Sequence, residues 1–269
     1  MPAIRPRTVS LPSIDKVLNR DRVAVLAALA VVVALAWAYL AHIALAHPAM
    51  DMDAVAMAAM PAPDWDAAYF AATLAMWMVM MVGMMLPSAA PTLLLFDALQ
   101  GQRDAARRRD HRATALFAAG YVVAWAAFSF VATTAQWALS AAMLLSAMMT
   151  SKSPVFAGIL LVVAGAYQFT RLKTACLGQC RSPAEFLVRH RRSGPFGPLM
   201  MGLQHGLQCI GCCWALMTLL FAFGVMNLLW VAALATFVLI EKLTPAGPLV
   251  GRVGGALMIC SGLILMAIG

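Results

Sequence analysis

Residues Gly202–Met217 read GLQHGLQCIGCCWALM, a histidine and three cysteines set into a run otherwise apolar enough to cross a bilayer. At 3.6 residues per turn, His205, Cys209 and Cys213 fall at i, i+4 and i+8 on one helical face, with Cys212 on a neighbouring stripe one turn beyond Cys209. Gly202, Gly206 and Gly211 remove side chains from the same turns, so another helix can approach the backbone closely. The stretch predicts a membrane-spanning helix with one thiol-imidazole face, and the rest of the chain as its housing.

Composition supports that frame. Of 269 residues, 63% are hydrophobic and 11% charged, and the mean hydropathy is +0.85, well outside the range of soluble domains. The expected fold is all-α, one polytopic transmembrane helix bundle. Apolar runs long enough for a core of ~30 Å place seven spans at 23–46, 67–96, 113–140, 154–170, 198–223, 226–240 and 249–268, behind a polar tail at 1–22. Ala44-Leu45-Ala46 imitates a signal-peptidase site, but the run before it is longer than a usual signal core, so a retained first helix is preferred over cleavage.

The formal charge of +8 does not call for nucleic acid. With the N-terminus inside, the basic clusters at Arg5–Arg22, Arg103–Arg112 and Arg171–Arg192, together with Lys242 and Arg252, all lie on the cytoplasmic side. Only Lys152 lies outside. The expected partner is the lipid bilayer, with a membrane-protein partner or a homo-oligomer left open.

The six cysteines avoid every segment assigned to the outer face, so no secreted disulfide framework is expected. Three of them within Cys209–Cys213 exceed what a chain with six in 269 residues would place by chance, and metal or thiol chemistry is preferred over packing in a helix interface. Thiolate and imidazole at this spacing suit zinc or monovalent copper, with His205 equally readable as ligand or packing residue. Cys176 and Cys180, four apart in a basic loop at 171–195, would close that site or pass a metal to it. Glu241, beside Lys242 at the end of the sixth span, reads as a ligand or proton acceptor, or as a structural ion pair. Cys260 reads as packing.

The second span contains MWMVMMVGMMLPSAAP. Met76, Met80 and Met84 share a stripe, Met81 and Met85 lie beside it, and Pro87 kinks the helix. The stripe reads equally as a thioether path for monovalent copper and as packing around a kink. The outer segment His47–Asp66, with four aspartates and four methionines, reads first as an acidic surface loop and second as a metal-collecting loop around His47, Met50 and Met52.

The blocks MWMVMMVGMMLPSAAP, YQFTRLKTACLGQCRSP, GLQHGLQCIGCCWALM and FGVMNLLW, with the Glu241-Lys242 pair, resemble a bacterial integral membrane family of unknown function, catalogued as predicted metal-binding membrane proteins. The resemblance covers roughly 67–242 and implies an inner-membrane protein with Cys176, Cys180, Cys209, Cys212 and Cys213 as metal residues. The reading that follows is a metal-binding protein of the bacterial cytoplasmic membrane that handles or transports a soft metal ion, a reading preferred over an enzyme. Copper is preferred and zinc second, held by Cys209, Cys212, Cys213, His205, Cys176, Cys180, Met80, Met84 and Glu241. The alternatives are a membrane thiol-disulfide oxidoreductase and an accessory subunit of another complex. No phosphate-binding loop of the G-x-x-x-x-G-K-[ST] type occurs, so transport would need a gradient or a separate energising subunit.

Overall fold

The computed structural model describes residues 12–46, 64–103, 111–145, 151 and 153–269. Among these the chain is helical: α1 Pro12–Ala46, α2 Ala67–Arg103, α3 Arg112–Ala141, α4 Pro154–Tyr167, α5 Arg171–Arg181, α6 Pro183–Arg189, α7 Gly197–Phe223, α8 Leu228–Leu243 and α9 Gly247–Ile268. His47, Met50, Met52 and Lys152 lie outside the described residues.

The helix limits follow local chemistry. Prolines stand in the first turn of α4, α6, α7 and α9, where a missing N–H costs nothing. Ser153, Thr170 and Asn227 cap α4, α5 and α8 with side-chain oxygens, taking up otherwise unpaired first-turn N–H groups. Gly224, at φ 96°, ends α7 in a conformation that side-chain-bearing residues rarely adopt. In α2, Pro87 and Pro91 lie inside a continuous helix.

The bundle is centred on α7, which packs against α3, α4, α5 and α8. Contact with α3 is backbone-close. A Cβ at Gly202 would collide with the Phe117 carbonyl, and one at Gly206 would lie 2.5 Å from Ala124 Cβ, so this G-x-x-x-G step is the surface on which α3 rests. The α4–α9 pair is equally tight: a Cβ at Gly165 would lie 2.6 Å from the Gly255 carbonyl. α1 packs mainly on α2 and leaves Val23, Val31 and Leu35 more than half exposed, as a helix facing hydrocarbon does.

Five helical segments among the described residues are long and apolar enough to cross a membrane: Val23–Ala44, Ala67–Gln100, Arg112–Ala141, Gly197–Phe223 and Gly247–Ile268. A sixth arises if α4 and α5, bent by 65°, count as one broken span. The other two expected spans are short. α4 has 14 residues and α8 has 16, or roughly 21 and 24 Å at 1.5 Å per residue. The expected loop at 171–195 contains two helices, α5 and α6. Lys173, Leu177 and Cys180 are buried there, an i, i+4, i+7 face turned into the bundle.

Candidate metal centre

Cys209, in the middle of α7, is 1% exposed. Its sulfur receives a hydrogen bond from Lys242 Nζ of α8 at 2.8 Å and lies 3.1 Å from the Tyr121 hydroxyl of α3. Lys242 also donates to Ser88 Oγ at 3.1 Å. Ser88 in turn donates to the Met85 carbonyl at 2.8 Å, and Tyr121 donates to the same oxygen at 3.0 Å. Four helices therefore meet at one thiol.

The neighbouring thiols are arranged around the same point. Cys212 and Cys213 both donate to the Cys209 carbonyl at 3.0 Å, as buried thiols on the next turn commonly do. Cys213 Sγ lies 4.0 Å from the Met85 thioether. Cys180 of α5 is buried in the same core cluster as Cys209 and Cys212. Cys176 packs on the bare backbone of Gly211, where an added Cβ would stand 2.7 Å from its sulfur, and Tyr167 donates to the Gly211 carbonyl. All six cysteines are free.

His205 is 2% exposed and ringed by Phe117, Tyr121 and Phe186, with centroids at 6.1, 5.7 and 4.9 Å. Its Nδ1 has no hydrogen-bond partner, so a buried nitrogen is left over one turn below Cys209. Met76, Met80, Met81, Met84 and Met85 are all buried, which turns the methionine stripe toward the bundle interior and away from lipid. Cys260, expected to be packed, is exposed on α9.

Glu241 is not paired with its sequence neighbour. Its carboxylate lies 2.7 and 2.8 Å, through its two oxygens, from Lys173 Nζ of α5, and Lys173 also reaches Gln168. The Glu241 carbonyl accepts from Arg181 at 2.6 Å. These contacts tie the cysteine-bearing α5 to the end of α8.

Soft sulfur donors from two helices, with an aromatic-caged imidazole below and a thioether alongside, form a donor set suited to monovalent copper. Among the described residues, however, no group of three or more His, Cys, Asp or Glu side chains is pre-set as a metal cage. The Lys242 ammonium stands against Cys209, and Cys212 and Cys213 direct their thiols at a backbone carbonyl.

The residues missed in the sequence are Lys242 and Tyr121 as partners of Cys209, with Ser88 as a second acceptor for Lys242. A lysine inside the last turn of an apolar helix was the available signal.

No curated protein and no solved structure matches the chain. A family model described as PpoB2, copper chaperone, matches residues 74–265. That range takes in the methionine stripe and every cysteine, and the match agrees with the motif resemblance in being metal-related. The chain belongs to the PpoB2 copper chaperone family.

Proposed function

We propose that this protein is a membrane-embedded copper handler that binds monovalent copper among Cys209, Cys212, Cys213 and Cys180. The observation that carries the reading is that the Cys180 thiol of α5 and the Cys209, Cys212 and Cys213 thiols of α7 are buried together in one core cluster, closed to water. Two or three sulfurs satisfy monovalent copper, so loading needs only that the Cys212 or Cys213 thiol turn from the Cys209 carbonyl and Lys242 withdraw from the sulfur. Met80 and Met84 supply a weaker thioether approach, Cys176 stands next on α5, and His205 closes the lower side. Glu241 acts through Lys173, as the anchor of α5 rather than as a ligand. Zinc is the second candidate ion.

In this reading the chain lies in the bacterial cytoplasmic membrane with its N-terminus inside, as the basic segments favour. The short α4 and α8 complete the crossing pattern from within the bundle, and copper moves between the site and a partner protein. Anaerobic loading of the detergent-purified protein with monovalent copper, beside a variant with Cys209, Cys212 and Cys213 all changed to serine, tests the assignment. Bound copper is expected to disappear in the variant, and unchanged stoichiometry overturns the site.

The burial of Cys180 in one cluster with Cys209 and Cys212 also supports a second reading, thiol-disulfide exchange between α5 and α7. A mixed disulfide trapped between Cys180 and an α7 cysteine in metal-free protein, with activity retained, would favour it over copper handling.

A further inference from the structure

From Tyr121, which touches Cys209, one stripe of α3 continues through Trp125, Ser129 and Thr133 to Gln136. Each of these side chains is buried. Polar groups this deep in a span are costly unless paired, yet Trp125 Nε1 and Gln136 Nε2 have no hydrogen-bond partner. Ser129 and Thr133 donate to carbonyls of their own helix at 2.8 and 2.9 Å, and their oxygens keep the capacity to accept. α2 runs antiparallel beside this stripe: Tyr121 donates to the Met85 carbonyl at one level, and Trp77 meets Gln136 at the other. Met84, Met80 and Met76, all buried, therefore climb between the same two levels, roughly 22 Å apart along α3 at 1.5 Å per residue. At the far level the stripe is shut. Trp77 is fully buried, donates its indole N–H to Gln136 Oε1 at 2.7 Å, and lies on Phe221 of α7 with ring centroids 5.4 Å apart.

We propose that the Trp77–Gln136 hydrogen bond is the latch of a passage between α2 and α3 that links the copper site to the outer face of the membrane. The proposal rests on the copper-site reading and on the orientation argued from the basic segments, and it adds the side from which the site is reached. Polar groups buried within a span mark ion routes by default. Here the thioethers of α2 ligate a soft ion weakly enough to let it go. The unpaired N–H groups and the hydroxyl oxygens of α3 take up the water that enters when the two helices part. With the latch closed, the indole fills the way out and occupies the amide oxygen of Gln136. Once the indole swings away, that oxygen becomes a further weak ligand at the level of Met76, and the passage is open.

The experiment loads the full chain with copper(I) without oxygen and reconstitutes it into vesicles selected for the N-terminus in the lumen. A charged copper(I) chelator that does not cross bilayers is then either added outside or trapped inside. Wild type is compared with Trp77→Phe, which keeps a ring on Phe221 but loses the N–H, and with Gln136→Leu, which removes the acceptor at similar size. Both variants are expected to bind as much copper as wild type and to yield it to the external chelator about tenfold faster, the kinetic equivalent of one lost hydrogen bond. Extraction by the trapped chelator is expected to stay at the wild-type rate. An external rate that is unchanged, or raised in only one variant, would overturn the latch. So would equal acceleration toward both chelators, as general loosening of the bundle gives. Those results leave the copper site standing. A wild type that takes up no copper removes the site and the passage together.

Discussion

At the scale of single residues, Cys209 and Glu241 place opposite demands on their surroundings. Cys209 gathers a lysine and a tyrosine at its sulfur and two further thiols at its carbonyl, and Cys209→Ser is expected to abolish high-affinity copper binding, measured by competition with a copper(I) chelator. Glu241 is structural in its contacts: it and Lys173 are 2% and 3% exposed in their side chains. Glu241→Gln leaves the Lys173 ammonium buried without its anion, and the expected loss is about 3–5 kcal/mol in thermal or denaturant unfolding of the detergent-solubilised protein. A double change of Lys173 and Glu241 to methionine should recover most of that loss. An unaltered unfolding midpoint in Glu241→Gln would show that the pair does not hold α5 in place. Residue identity was partly legible from spacing alone, since His205, Cys209 and Cys213 share a face in α7 as read. The partners were not, because Tyr121 lies 88 positions from Cys209 in the chain and nothing local signals the meeting. Glu241 and Lys242, adjacent in sequence, point to different partners.

At the scale of elements, the decisive contact is α3 on α7. Gly202→Ala places a methyl against the Phe117 carbonyl, and the expected cost of overpacking there is about 1–3 kcal/mol in stability. Gly178 has open space where a Cβ would go, so Gly178→Ala in α5 should not destabilise the protein and serves as the control. Equal unfolding midpoints for the two variants would contradict the close α3–α7 approach. The long apolar helices were legible because arginine, proline and glycine bound them: the expected 113–140 and 198–223 became Arg112–Ala141 and Gly197–Phe223. α5 was hidden by its basic composition, which reads as a loop. Its buried face consists of Lys173, Leu177 and Cys180, and Lys173 is not a residue that hydrophobic periodicity counts.

At the scale of the whole molecule, the chain is a helical bundle in which α7 is the hub, and it belongs to a copper chaperone family. Basic segments were sorted by membrane side in the sequence, and that sorting yields a topological prediction. Reporter fusions at the N-terminus and after Arg192 should register as cytoplasmic, and one at Lys152 as external; the opposite pattern would invert the orientation. Span count was less legible, because hydropathy cannot tell a crossing helix from a short apolar helix enclosed by others, as with α4 and α8. The central claim, that copper sits between α5 and α7, is tested most directly by copper K-edge absorption spectroscopy of the copper(I)-loaded protein beside a Cys180→Ser, Cys209→Ser variant. The account predicts a first shell of about two to three sulfur atoms in wild type, lost in the variant. A nitrogen- or oxygen-dominated shell, or the same sulfur shell in both proteins, would contradict it.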